Sequence, residues 1–309
     1  MFRQHPRDEW HQVEPLKGRC VNKLRKMEDL KAFVKKSWNT EGFDPSRFPG
    51  PQPISIERRH FPLLKKQPYL VCEKTDGVRH MLLCPPGSKE VYLINRNFDI
   101  QETRTIPTFP KDTILDGEFV ELKNKKWLFS VYDAVRVKGV DLRAEPLTTR
   151  LEKATQAVKS VIKTVKDKWE MRVKVMVPLE NIKDLKPLDQ FEYETDGIVM
   201  TPINEPIRMG THETMFKWKP HDRITVDFQI RNKKDLFVQD RGELFQEVEL
   251  YAPWNIPDKS IVECGYGDNG WYLVKVRTDK SHPNNRRTYF RTCINLREAI
   301  KLDEFFNVI

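Results

Sequence analysis

Lys74, Asp76, Gly77 and Arg79 fall within six residues at the end of the strand-like run Tyr69–Glu73. A lysine at a strand end, beside a glycine that lets the chain turn, projects into whatever cleft the strand borders. It can attack phosphorus only when neutral, and an ordinary lysine has a pKa of about 10.4, so nearby cations and desolvation must favour the neutral form. Three further groups accompany strand-like runs. Asp116-Gly117-Glu118 lies between Ile114-Leu115 and Phe119-Val120, and Asp196-Gly197 opens the run Ile198–Met200. In Lys217-Trp218-Lys219 the period of two puts both lysines on one face. Carboxylates so placed suit sugar hydroxyls, and two adjacent ammonium groups are costly without an anion such as phosphate between them. Taken singly, each is an ordinary turn, since Asp-Gly is a strong hairpin dipeptide. The chemistry is carried by their order.

The elements that must position these groups are mostly strands. Runs at Tyr69–Glu73, His80–Cys84, Val91–Ile94, Ile114–Leu122 and Trp127–Tyr132 predict a mostly antiparallel sheet, and further strands are expected around Val173–Val177, Gly197–Thr201 and Met215–Trp218. Helical spacing appears over Val21–Ser37 (Val21, Leu24, Met27, Leu30, Phe33, Val34) and over Leu147–Val165 (Leu151, Ala154, Val158, Val161, Ile162, Val165). The proline-rich stretch with Pro45, Pro49, Pro51 and Pro53 reads as an irregular crossing. Past Lys219-Pro220 short strands follow at Ile224–Ile230, Leu236–Val238, Glu247–Tyr251, Ser260–Glu263 and Tyr272–Val276, suiting a small antiparallel barrel of about 80 residues. Ile294–Val308 reads as a closing helix. The expected fold is α+β, with residues 1–222 as a catalytic domain of antiparallel sheets and flanking helices and residues 223–309 as a barrel domain ending in a helix.

Composition sets the partners. With 54 Lys and Arg against 45 Asp and Glu, the chain carries a formal charge of +9, which favours nucleotide or nucleic acid without concentrating the charge in one block. Its five cysteines, Cys20, Cys72, Cys84, Cys264 and Cys293, form no C-x-x-C pair, which argues against a zinc site or a disulfide framework and for a reducing compartment. No apolar run approaches the roughly 18 residues of a membrane span, so no membrane role is expected.

In order and spacing, these motifs resemble the covalent nucleotidyltransferase superfamily, which comprises mRNA-capping guanylyltransferases and polynucleotide ligases. The resemblance runs from about Tyr69 to Asn284. It implies that Lys74 is the nucleophile, with Glu73 and Thr75 beside it at the nucleotide. Arg79 and Glu118 hold the ribose, Arg96 in the turn Asn95-Arg96-Asn97 faces the nucleotide, and Tyr132 of Tyr132-Asp133 stacks on the base. Asp196 coordinates a metal, Lys217 and Lys219 grip the α-phosphate, and Lys174 is the nearest match to the lysine that contacts guanine O6. In the last domain Trp271, Arg277, Asp279, Lys280, Pro283 and Asn284 spell W-x5-R-x-D-K-x2-P-N, which looks like the C-terminal motif of capping guanylyltransferases on an OB-fold. Arg277 and Lys280 suit the charge developing on a departing pyrophosphate. Arg286-Arg287 falls outside the motif and reads as a solvated turn.

The implied reaction has two steps. Lys74 takes GMP from GTP with Mg²⁺ or Mn²⁺, then passes it to the 5′-diphosphate end of RNA. The implied partners are that RNA, a separate RNA triphosphatase and cap methyltransferase, and the transcribing RNA polymerase; the implied place is the nucleus. The alternatives are an ATP-dependent RNA or DNA ligase, separated by which nucleotide labels the protein, and a non-catalytic RNA-binding module.

Overall fold

The structure, a computed structural model, describes residues 20–41, 47–105, 108–161 and 169–308. Its helices are α1 (Cys20–Trp38), α2 (Phe61–Lys66), α3 (Leu147–Lys159) and α4 (Arg286–Glu298). The first strands are β1 (Gln52–Ser55), β2 (Tyr69–Thr75), β3 (Val78–Cys84), β4 (Glu90–Asn95), β5 (Ile100–Thr105), β6 (Thr113–Glu121), β7 (Trp127–Val137) and β8 (Val140–Asp141). After α3 come β9 (Trp169–Val173), β10 (Val177–Pro178), β11 (Thr195–Pro202) and β12 (Thr211–Trp218). The last five are β13 (Thr225–Arg231), β14 (Asp235–Asp240), β15 (Glu243–Glu249), β16 (Ile261–Gly267) and β17 (Gly270–Val276).

Two sheets build the first domain. One runs β1-β12-β11-β2-β10 and the other β5-β4-β3-β6-β7-β8, with β9 parallel to β7. Consecutive strands β2 and β3 belong to different sheets, so Lys74 and Arg79 stand on opposite sides of the join. The sheet containing β3, β4, β6 and β7 is covered on both faces. Leu115, Phe129, Val131 and Ala134 pack under Ala154 and Ala157 of α3, and Leu30, Val34 and Trp38 of α1 cover Met81, Leu83, Ile94 and Ile114. The side chains of Val21 and Leu24, and residues Ile162 and Val165 altogether, lie outside the described residues; α3 stops at Lys159.

The last five strands form a sheet β15-β14-β13-β16-β17 that curls until Leu250, just past β15, bridges in parallel to Trp271 on β17. That circuit is the OB-type order, and its centre is filled by Val226, Phe228, Ile230, Val238, Val262 and Trp271 with Tyr289 from α4.

Four expectations need correction. The proline stretch contains β1, an edge strand parallel to β12, where Pro53 is tolerated because an edge leaves its missing donor without consequence. The strand expected at Val173–Val177 is split: Lys174 leaves the ladder after β9, and only Val177–Pro178 rejoins β2. The closing helix lies earlier, over Arg286–Glu298, capped by the Asn285 side chain at its start and ended by Ala299 in the left-handed region at φ 45°. Arg286 is therefore in a first helical turn, ion-paired to Glu247 at 2.5 Å. Residues 300–308, expected with the barrel, return to the first domain. Ile300, Phe305 and Val308 pack on Ile54, Tyr69, Met200 and Phe216, and the Trp218 indole donates to the Ile300 carbonyl at 2.7 Å.

Candidate active site

Asp196 owes its position to a bulge. Thr195 pairs with Thr75 and Gly197 with Lys74, so Asp196 is the extra residue, turned out of the ladder toward the nucleophile. Gly197 permits this. Its φ is +153°, and a Cβ there would stand 1.9 Å from the Trp218 carbonyl oxygen. The Lys74 Nζ donates to Asp196 Oδ1 at 2.7 Å, and Lys219 meets Oδ2 at 2.6 Å. Burial alone would raise the Asp196 pKa, but Lys74 and Lys219 outweigh it and hold the carboxyl below its ordinary value.

Lys217 projects from β12 and Lys219 follows just past its end, while Trp218 between them is buried in the core. Among the described residues the Lys217 ammonium has no hydrogen-bond or ion-pair partner. Burial, then the charges of Lys74, Lys219 and Arg96, push its pKa down to about 8. Three ammonium groups against one carboxylate make a site short of an anion.

On the facing sheet, period two puts Asp116 and Glu118 on one face of β6. Arg79 is buried and forks onto Asp116, with Nε to Oδ1 at 3.0 Å and Nη2 to Oδ2 at 2.5 Å, while Nη1 donates to the Pro51 carbonyl at 2.6 Å. The Tyr132 hydroxyl also donates to Asp116, at 2.7 Å. Asp116 thus anchors two of the expected nucleotide contacts, a role the motif alone did not reveal. The Glu118 carboxylate has no hydrogen-bond partner among the described residues. Burial raises its pKa, opposed by Lys174, Lys74, Arg96 and Arg79. Arg96 is exposed in its turn, within electrostatic reach of Glu118 and Lys217. Lys174 is buried against β2, where its Nζ donates to the Glu73 carbonyl at 2.9 Å and to Thr75 Oγ1 at 2.6 Å.

The barrel residues stand elsewhere. Arg277 forks onto Asp279 at 2.9 Å and reaches Asp227 at 2.8 Å and Glu263 at 3.3 Å; Lys280 pairs with Asp227. Asn284 clamps the same point, its Nδ-bearing side chain accepting through Oδ1 from the Asp227 N–H at 3.0 Å. No described contact joins Arg277, Asp279 or Lys280 to the Lys74 cluster. The buried acid Asp227 was missed in the sequence reading; its signal was an acidic residue between Val226 and Phe228 in an apolar strand.

Among the described residues no group of three or more His, Cys, Asp or Glu is placed to hold a metal ion. Asp196 with phosphate oxygens and water is the donor set that fits, since Mg²⁺ commonly takes one or two carboxylates and completes its shell from the substrate.

Two facing sheets joined at a lysine-rich cleft, followed by a five-stranded antiparallel sheet in OB-type order, define a two-domain α+β protein. The description of the mRNA capping enzyme catalytic domain matches residues 16–221, and that of the mRNA capping enzyme C-terminal domain matches residues 203–306. The chain belongs to the mRNA capping enzyme family. It is 31% identical to the mRNA-capping enzyme subunit alpha of Yarrowia lipolytica, over 77% of this chain and 75% of that protein. It is 23% identical to the Schizosaccharomyces pombe mRNA-capping enzyme subunit alpha, over 91% of this chain and 84% of that one. The Danio rerio mRNA-capping enzyme is 25% identical over 93% of this chain, which spans only 54% of that longer protein. No described helix is long and apolar enough to cross a membrane.

Proposed function

We propose that the chain is an mRNA guanylyltransferase in which Lys74 attacks the α-phosphorus of GTP, releases pyrophosphate and carries GMP as a phosphoramidate to the 5′-diphosphate end of RNA. The observation that carries this reading is the cluster at Asp196, where Lys74 and Lys219 each meet one carboxylate oxygen and Lys217 lacks an acceptor. An α-phosphate entering there supplies the missing anion. Lys217 and Lys219 grip its oxygens, and Asp196 Oδ1 keeps the Lys74 nitrogen directed at phosphorus. Glu118 accepts from the ribose hydroxyls, Arg79 supports the sugar from its anchor on Asp116, and Tyr132 lies along the base. Arg96 adds positive charge at the open edge.

Mg²⁺ or Mn²⁺, held by Asp196 and the nucleotide's own phosphates, supplies charge neutralisation when bound. Arg277 and Lys280 reach the departing pyrophosphate only after the barrel moves, with Asp279 aligning Arg277. Residues 1–222 thus serve as the catalytic domain, and the barrel that follows as its lid. The fungal relatives' designation as a subunit alpha supports a companion chain, read as an RNA triphosphatase, with a methyltransferase acting afterwards, the transcribing polymerase nearby and the nucleus as the place of work.

The test is incubation with α-labelled GTP or ATP and a divalent metal, followed by denaturing electrophoresis. GTP should label the protein in an acid-labile, alkali-stable bond, and Lys74→Arg should abolish the label because a guanidinium cannot become a neutral nucleophile. Labelling by ATP alone would establish a ligase instead.

A further inference from the structure

A buried polar knot lies beside Lys74, apart from the groups that meet phosphate. Lys174 leaves the end of β9 with its side chain only 3% exposed, and its Nζ lies 3.1 Å from the Glu73 Oε1. The same ammonium donates to the Glu73 carbonyl and to the Thr75 hydroxyl, the two neighbours of the nucleophile. Glu73 is equally buried, at 2%, and its carboxylate accepts from the Tyr193 hydroxyl at 2.8 Å. A cavity of about 210 Å³ has Glu73, Ser130, Lys174 and Tyr193 among its walls. Glu118, the proposed ribose group, lies within electrostatic reach of both Lys74 and Lys174.

We propose that Glu73, steadied by Tyr193, is a positioning residue that keeps Lys174 an ammonium, and that this fixed charge lets the site accept guanine and refuse adenine. The inference rests on the guanylyltransferase reading, with the base against Lys174. Guanine presents the O6 acceptor where adenine presents an amino donor. An ammonium has three donors and no acceptor, so it pairs with O6 and is mismatched to the adenine amino group. A neutral amine has a lone pair and accepts from adenine. In the loaded site O6 takes the N–H now directed at Thr75, while both Glu73 contacts persist.

A lysine this deep readily loses its charge. Burial works in that direction, and Cys72, Glu73 and Glu118 outweigh it, carrying the Lys174 pKa above the ordinary lysine value. Of these three, Cys72 is a thiol pushed up to about 12 by burial and so uncharged at neutral pH. Glu118 is itself pushed up by burial. Arg172, on the same strand, is turned away to Glu170 and Glu192. Glu73 is left as the acidic group in direct contact.

The test compares covalent labelling by α-labelled GTP and α-labelled ATP across about pH 6.5 to about pH 9. The ratio of the two rates cancels titrations at the phosphate end, which both nucleotides share. The unmodified chain should hold a steady ratio. Glu73→Gln keeps the shape and removes the charge, so its preference for GTP should fall by about 10-fold or more toward the alkaline end, as Lys174 loses its proton within the window. Tyr193→Phe should show the same trend more weakly. Lys174→Met should lose discrimination at every pH; an unchanged ratio in that variant would overturn the base-reading role of Lys174 itself. If Lys174→Met loses discrimination while Glu73→Gln and Tyr193→Phe keep a ratio as flat as the parent's, Glu73 does not set the charge and the proposal fails. Should Glu73→Gln not fold, Tyr193→Phe decides by the same criterion.

Discussion

Around Asp196 the first domain gathers Lys74, Lys217 and Lys219 against a single carboxylate, whereas in the barrel Arg277 and Lys280 face three, Asp227, Glu263 and Asp279. Both groups suit phosphate, yet only the first is short of an anion as it stands. A partly desolvated excess of cations attracts an anion without rearrangement. A neutralised pair must exchange its carboxylates before it can act, so its contribution is tied to movement of the domain that carries it. On the proposed reading, one cluster binds phosphate as it stands, and the other acts once the domain that carries it has moved.

The largest effect that would break this comparison comes from the barrel. Arg277→Ala or Lys280→Ala should lower the rate of lysyl-GMP formation by about 10³-fold, equivalent to roughly 4 kcal/mol of transition-state stabilisation. Transfer from preformed lysyl-GMP to diphosphate-ended RNA should fall much less, because pyrophosphate has already left. Rapid-quench measurement of the two steps separately, with thermal unfolding of the same variants, decides this. Equal losses in stably folded protein would place these residues in a shared phosphate or RNA site.

A smaller effect on a different quantity sharpens the contrast between balanced and unbalanced charge. Asp133 and Arg150 form a buried, fully paired fork at 2.7 and 3.1 Å between β7 and α3, with no anion deficit. Removing one partner strands the other, so Arg150→Met should cost about 3 to 5 kcal/mol in urea unfolding.

The smallest effect is at Lys217. Its folded pKa of about 8 lies below the ordinary 10.5, so between those values the unfolded chain binds more protons than the native one. This group therefore makes stability rise as pH climbs through that window, and it opposes folding below it. Lys217→Met should flatten that rise. Bound GTP or pyrophosphate should return the Lys217 pKa toward its ordinary value, which NMR of labelled lysine side chains would follow.

How much of this was legible beforehand depended on the range of the interactions. Lys74, Asp196, Lys217 and Lys219 sit at or beside strand ends and Glu118 within β6, and the apolar runs of those strands are local and readable from alternation. The bulge that aims Asp196 was half visible in Gly197, but its register is set by pairing with β2, far away in the chain. The return of Ile300, Phe305 and Val308 to the first domain could not be read, because a short apolar run does not say which of two cores it completes. Asn285 caps the start of α4, but the helical periodicity nearer the end drew the expectation past it. Asp279 is local to Arg277, but Asp227 and Glu263 come from the paired strands β13 and β16, so most of that cluster's balance depends on strand pairing distant in the chain.

The central claim is that one lysine carries the nucleotide. Intact-mass analysis after incubation with GTP and a divalent metal, followed by proteolysis at alkaline pH and fragmentation, locates the added GMP. The account predicts a single adduct on the peptide containing Lys74, reversed by pyrophosphate. An adduct on Lys217, Lys219 or Lys174, or one that survives Lys74→Arg, would contradict it.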